Sequence, residues 1–306
     1  MNTGSSEMPE RETVIVVGAG LMGAGIAYAF AASGCSVILV DNSAAALGKA
    51  IDTIGASFAM GVERGKITRE TADAGLNAIT TAESVDERAN TASLLIETAT
   101  ENLAVKCAIV ADAANRLPPG AVIATNTSAL SISEIANACT APDRVIGMHF
   151  FNPVPKMKLV EIIRGLETSA ETLERTIGWT GRIGKDHIVV NEAPGFTTSR
   201  MSALMGNEAM YMLSEGVASA EDIDKSLRMA FNHPMGPLET GDLTGWDTRL
   251  KVLEYLYDVM GERFRPCPLI RKMVKAGRHG RKTGKGVYEY DASGARIPGS
   301  GLKVSP

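Results

Sequence analysis

His149 and Glu161 set a base and an acid 12 positions apart, on two apolar segments joined by the stiff turn Pro153-Val154-Pro155. Taking a proton from a secondary alcohol while hydride leaves its carbon needs a base within reach of the hydroxyl. Histidine suits that task because its unperturbed pKa lies near neutrality. A glutamate flanked by Val160 and Ile162 needs a partner if it is buried. A carboxylate on one ring nitrogen fixes the tautomer of the imidazole and stabilises its cation as it forms. Taken singly, His149 reads as an ordinary strand-end histidine and Glu161 as a solvent-facing acid on an edge strand. A hydride acceptor in the same chain makes the pair a catalytic constellation.

That acceptor is indicated upstream. Gly18, Gly20 and Gly23 form G-x-G-x-x-G directly after the β-branched run Val14 to Val17. The first glycine permits a tight turn, the second lets the backbone approach a pyrophosphate, and the third lets helix and strand pack closely. Leu21 and Met22 complete the turn at the head of a helix whose N-terminal amides can meet the negative charge. Asp41 lies 23 positions beyond Gly18, where an acid can accept from both ribose hydroxyls of NAD and would repel a 2′-phosphate. Asn42 and Ser43 follow it, with no arginine to hold such a phosphate, so NAD is expected over NADP. A nucleotide-free turn with Asp41 as a helix cap would explain the aspartate but not three spaced glycines. Asn126-Thr127-Ser128 follows another strand signal. Ser128 can hydrogen-bond the reacting oxygen and Asn126 can face the cofactor; the competing reading is a polar loop that caps the next helix.

Positioning these residues requires a sheet. From Thr13 to about Asn191, strand signals (Val14–Val17, Val37–Val40, Leu94–Glu97, Val122–Ala124, Val145–Met148, Lys158–Ile163, His187–Val190) alternate with helical stretches (Leu21–Ser33, Ala44–Arg64, Leu103–Asn115, Glu171–Ile183). Such alternation predicts an α/β fold with a doubly wound, largely parallel sheet. His149 then stands at the carboxyl end of a strand, the edge where open α/β sheets bind ligands. Thr168 with Glu171, and Ser131 with Glu134, read as capping boxes, and Ser219 with Asp222 as a further cap. After Pro194-Gly195 the texture changes, and Met201, Leu204, Met205, Ala209 and Met212 repeat at helical spacing. Leu250 to Val259 reads as another helix. The expected division is a disordered lead-in over 1–12, an NAD-binding domain over 13–192 and an all-α domain over 193–306. Met-rich helices of this kind also suit subunit interfaces, so a homodimer through the helical domain is expected.

The 306 residues are 45% hydrophobic and 22% charged, as in an ordinary soluble globule long enough for two domains. A net charge of −4 gives no whole-chain attraction for nucleic acid or anionic membrane. The N-terminus lacks the basic start and apolar stretch of a signal peptide. Cys35, Cys107, Cys139 and Cys267 lie far apart with no C-x-x-C pair, so no metal site or disulfide framework is expected and a cytoplasmic location is.

At these residues the chain resembles the L-3-hydroxyacyl-CoA dehydrogenases, especially the bacterial 3-hydroxybutyryl-CoA type, from about Val14 to Tyr290. The motifs are Gly18-Ala19-Gly20-Leu21-Met22-Gly23, Glu101-Asn102-Leu103, Asn126-Thr127-Ser128, His149-Phe150-Phe151-Asn152-Pro153, Pro194-Gly195-Phe196, Pro234-Met235-Gly236-Pro237 and Gly280-Arg281-Lys282-Thr283-Gly284-Lys285-Gly286. The resemblance implies a Rossmann-like domain followed by a helical dimerisation domain, and reversible NAD-dependent oxidation of an L-3-hydroxyacyl-CoA. It implies His149 as base, Glu161 as its orienting acid and Ser128 against the substrate oxygen. It places Glu101, Lys106 and Asn152 where the family contacts the cofactor, and Lys66 in the region used against the CoA tail. One departure stands out. After Pro-Gly-Phe the family commonly reads two apolar residues and then Asn-Arg, the asparagine helping to hold the substrate carbonyl. Here the run is Thr197-Thr198-Ser199-Arg200, so Ser199, shorter by one heavy atom, is expected to donate instead. Asn207 is an alternative donor, awkwardly rotated on the same helix.

Two other functions compete. The same fold can act on a free 3-hydroxy acid, which the absence of a strong CoA-binding motif leaves open. A catalytically silent NAD-binding protein would explain Ser199 but not the presence of both His149 and Glu161.

Overall fold

The computed structural model describes residues 11–304, so all but two positions of the expected disordered lead-in lie outside the described residues. The chain divides between Ala193 and Pro194 into two compact units. The first unit runs β1 (Thr13–Val17), α1 (Leu21–Ala32), β2 (Ser36–Val40), α2 (Ala44–Glu63), α3 (Arg69–Asn77), β3 (Ile79–Ala82), β4 (Ala92–Glu97), α4 (Leu103–Arg116), β5 (Val122–Thr125), α5 (Ile132–Ala136), β6 (Val145–Phe150), β7 (Leu159–Arg164), α6 (Ala170–Arg182) and β8 (Asp186–Asn191). These strands form one sheet in the order β3-β2-β1-β4-β5-β6-β7-β8. Strands β1 to β6 are mutually parallel, β7 runs antiparallel to β6, and β8 runs parallel to β7. The fold is Rossmann-like. Its strand order reverses between β1 and β4, which opens a crevice at their carboxyl ends.

The inner strands read as unbroken apolar runs because both faces are covered: Val14, Val16, Leu39, Leu94 and Ile96 are fully buried. They pack with Ile26, Phe30, Phe58 and Trp179 from the helices into one core. Two elements carry no readable signal. Helix α3 buries only Ala72 and Gly75, so it has no apolar stripe, and both middle residues of the four-residue edge strand β3 are exposed. The reversal of β7 was not expected from the alternation. It follows from the short Pro153–Pro155 connection, too brief for a parallel crossover.

The expected cap of α6 is corrected by one residue. Ser169, not Thr168, accepts from the Thr172 amide, because the Thr168 hydroxyl already donates to Val145 O and accepts from Gly165 N. Ser131 and Ser219 do cap their helices, accepting from Glu134 N and Asp222 N.

The second unit contains α7 (Thr198–Ser214), α8 (Ala220–Ala230), α9 (Pro237–Thr244), α10 (Trp246–Met260) and α11 (Pro268–Lys275). Its own core gathers Met210, Leu213, Leu238, Trp246, Leu253 and Ile270 with Tyr288. Two buried carboxylates anchor the C-terminal segment. Asp242 accepts from Trp246 Nε1, Val287 N, Tyr288 N and the Tyr290 hydroxyl at 2.6–3.0 Å. Asp224 accepts from Leu238 N, Glu239 N and the Tyr288 hydroxyl at 2.8–2.9 Å.

Candidate active site

The glycine-rich turn leaves β1 with Gly18 in a positive-φ conformation (104°). Thr98, at the end of β4, donates its hydroxyl to Val17 O and Gly18 O at 2.9 and 3.0 Å, which pins the turn inside the crevice. A Cβ on Gly23 would lie 1.7 Å from Gly18 O, so the turn and α1 close only around glycine. A Cβ on Gly20 would meet nothing within 4 Å and would project into open space. No side chain caps α1, and its first turn holds no acid, so its positive end is uncompensated. Leu21 is 66% exposed there, while Met22 packs against the core. Asp41 follows β2 and accepts from Ala19 N through Oδ2 (2.8 Å) and from Ser43 N through Oδ1 (2.9 Å). Each oxygen retains acceptor capacity for a hydroxyl. An open helix end beside a fixed acid fits a dinucleotide with unphosphorylated ribose.

On the other side of the crevice, a charged chain runs from the core to the surface. Glu97 is fully buried and accepts from Lys106 Nζ at 3.0 Å through both oxygens, from Thr125 Oγ1 at 2.7 Å and from Ala99 N at 2.6 Å. Lys106 reaches Glu101 at 3.3 Å. Glu101 in turn accepts from Thr127 Oγ1 (2.6 Å) and Ser128 N (2.9 Å). Lys106, expected at the cofactor, lies beneath the crevice surface. Its side chain is 1% exposed and pairs with two carboxylates, Glu97 in the core and Glu101 at the crevice. Asn126 accepts through Oδ1 from Phe150 N at 2.8 Å, which ties the end of β5 to the end of β6. Ser128 stands half-buried beside it.

His149 is the penultimate residue of β6, one place deeper than a strand-end reading expects. Glu161 lies directly opposite it on β7, an inner strand with no solvent edge. Cross-strand pairing therefore sets the contact: His149 Nδ1 meets Glu161 Oε2 at 2.7 Å, with His149 6% and Glu161 0% exposed. Glu161 thus engages one ring nitrogen of His149, Nδ1. Phe151 packs on the imidazole with ring centroids 4.6 Å apart. Asn152 begins the exposed turn to β7, and that turn is held by Lys185, whose ammonium donates to Val154 O and Met157 O at 2.6 Å. Desolvation lowers the pKa of that half-buried amine. A cleft of about 330 Å³ lies between this turn and α2, and Lys66 lines it together with Asn152 and Ser57.

In the second unit, Ser199 is the second residue of α7. Asn207, the alternative donor, is committed within the second unit. It is 4% exposed, and its amide donates to Arg265 O at 2.8 Å and accepts from Cys267 N at 2.9 Å.

Comparison with known proteins agrees with this geometry. Residues 13–193 match the family model for the 3-hydroxyacyl-CoA dehydrogenase NAD binding domain, and residues 195–290 match that for the 3-hydroxyacyl-CoA dehydrogenase C-terminal domain. The chain belongs to the 3-hydroxyacyl-CoA dehydrogenase family. A probable 3-hydroxybutyryl-CoA dehydrogenase of Bacillus subtilis is 42% identical over 283 residues, covering 92% of this chain and 98% of that protein. The mitochondrial hydroxyacyl-coenzyme A dehydrogenase of Homo sapiens is 36% identical over 287 residues, covering 90% of each chain. The crystal structure of (S)-3-hydroxybutyryl-CoA dehydrogenase from Ralstonia eutropha superposes with a TM-score of 0.87 at 42% identity, covering 92% of this chain and 100% of that one. As a 3-hydroxyacyl-CoA dehydrogenase, the protein is an oxidoreductase whose cofactor is NAD.

Sequence reasoning missed several residues that shape this dehydrogenase's site. Glu97 reads as the plain end of a strand, and only the later Lys106 on an amphipathic helix hints at a buried partner. Thr127 reads as a helix cap; it does accept from Leu130 N at 3.0 Å, but it also holds Glu101. Lys185 carries no local signal, because its role depends on a turn 28 positions away.

Proposed function

We propose that this dehydrogenase reversibly oxidises a short-chain L-3-hydroxyacyl-CoA, of the 3-hydroxybutyryl-CoA class, to the 3-ketoacyl-CoA. The observation that carries the reading is the buried His149–Glu161 pair, set opposite each other in one sheet whose crevice also holds the open glycine-rich turn. Bound NAD supplies the hydride acceptor. His149 takes the hydroxyl proton at Nε2, and Glu161 holds Nδ1 protonated and offsets the imidazolium charge. Ser128 hydrogen-bonds the reacting oxygen, and Ser199 donates to the thioester carbonyl in place of the family asparagine. Gly18, Gly20, Leu21, Met22, Gly23 and Asp41 hold the dinucleotide, joined by Glu101, Asn126 and Asn152, with Lys106 fixing Glu101. Lys66 lies against the CoA tail.

We also assign a homodimer formed through the second unit. An apolar groove of about 430 Å³ lined by Leu204, Met205, Met212 and Leu227 supports it, as do Met229 and Phe231, which are 75% and 70% exposed. A cytoplasmic location accords with four free cysteines. No helix among the described residues is long and apolar enough to cross a membrane. The reaction is tested by following NADH absorbance with acetoacetyl-CoA and, separately, with free acetoacetate. Turnover of the thioester with little of the free acid is expected. The reverse preference would replace the acyl-CoA reading with that of a free hydroxy-acid dehydrogenase.

A further inference from the structure

The cleft beside Asn152 has chemistry that the dehydrogenase reaction does not by itself require. Leu21, Tyr28, Met60 and Val154 give it an apolar lining. Arg64 and Lys66 come to it from the C-terminal end of α2, and Lys156 from the β6–β7 turn. None of the three cations forms an ion pair among the described residues. Arg64 and Lys66 have an ordinary reason to be where they are, since cations at a helix C-terminus offset its dipole. Lys156 has no such reason. It follows Pro155, its amide donates to Pro153 O at 2.9 Å, and the next amide, that of Met157, donates to the same oxygen at 3.1 Å. Lys185 clasps the turn from beneath through Val154 O and Met157 O. A rigid turn thus presents an unneutralised ammonium to an apolar cleft whose far wall carries two more cations. That arrangement fits an extended, weakly polar arm that ends in phosphates.

Resting on the acyl-CoA reading, we propose that Lys156 is a specificity-determining residue that contacts the phosphates of coenzyme A. It selects CoA thioesters over the same acyl group on a phosphate-free pantetheine. As a point charge on a flexible stem it acts by attraction that salt screens, without a fixed bidentate geometry.

The test compares kcat/KM for acetoacetyl-CoA and acetoacetyl-pantetheine in the parent enzyme, Lys156→Ala, Lys156→Glu and Lys156→Arg. The ratio of the two should fall about fivefold in Lys156→Ala and roughly tenfold in Lys156→Glu, through KM for the CoA thioester, and should return in Lys156→Arg. Added salt should lower the parent ratio more than that of Lys156→Ala. An unchanged ratio in an active Lys156→Glu enzyme overturns the inference. So does a rise in KM for NADH with the ratio intact, which would give the cleft to the cofactor. A parent enzyme that turns over neither thioester would instead sink the functional reading on which this one rests.

Discussion

A histidine with one nitrogen engaged by a buried carboxylate has little freedom in how it can act, and this makes the residue-scale consequences sharp. His149→Gln keeps a polar side chain of similar size but no titratable nitrogen. Its kcat for acetoacetyl-CoA reduction should drop by about 10²–10⁴, while NADH affinity, measured by fluorescence titration, stays within twofold. Near-normal turnover would refute the base. Glu161→Gln leaves a neutral partner that cannot offset the imidazolium, and its turnover should fall in the same assay with NADH affinity again intact. Ser199 poses a separate question, because a serine stands where the family has an asparagine. If its hydroxyl polarises the thioester carbonyl, Ser199→Ala should lose about 3 kcal/mol of transition-state stabilisation, a hundredfold or more in rate. Untouched turnover in Ser199→Ala would remove Ser199 from the site. The burial of Asn207 against Arg265 and Cys267 leaves no second asparagine on α7 to take over.

Elements place these residues through a few buried links, and the Glu97–Lys106 link is the one whose loss should be felt most. Lys106→Met leaves Glu97 buried without its cation, at a cost of about 3–5 kcal/mol, read as a lower denaturant midpoint. Adding Glu97→Gln removes the stranded charge and should recover part of that loss. Such links also mark how far the sequence could be read. Strands β1, β2, β4, β5, β6 and β7 announce themselves because covered strands are largely apolar, interrupted in β6 by His149 and in β7 by Glu161, and the glycine-rich turn announces itself because Gly18 and Gly23 touch. Helix α3 and strand β3 bury too little to leave a pattern. The direction of β7 depends on the length of one turn, a feature that periodicity does not encode. His149 and Glu161 could be paired from their types and spacing, but their facing register is a property of the antiparallel ladder. The buried ion pair of Lys106 could not be read from residue type, because its environment is set by Glu97, nine positions away on another element.

At the scale of the molecule, two units with separate cores answer differently to alkaline pH. In the second unit Tyr288 is fully buried, and burial raises its phenol pKa above the ordinary value of 10, with the neighbouring Asp224 carboxylate adding to the shift. Tyr290 is raised in the same way by burial and then by Asp242. A phenol with a raised folded pKa keeps its proton above pH 10 while the unfolded chain releases it. The folded state then binds more protons than the unfolded one, so stability falls as pH rises from about 10 toward the folded values. Each tyrosine contributes a slope of about −1.4 kcal/mol per pH unit in that window. In the first unit Tyr28 is also raised, by burial. Thermal unfolding between pH 9 and 11, with tyrosinate absorbance as a second probe, should show the melting temperature falling and tyrosinate from these residues appearing only with unfolding. The double variant Tyr288→Phe/Tyr290→Phe should be less stable at pH 8, because Asp224 and Asp242 each lose a donor, yet its stability should decline less between pH 10 and 11. An equally steep decline in the double variant would mean that other groups govern the alkaline limit. Asp242 would then hold the C-terminal segment chiefly through the Val287 and Tyr288 amides, which no change of side chain removes.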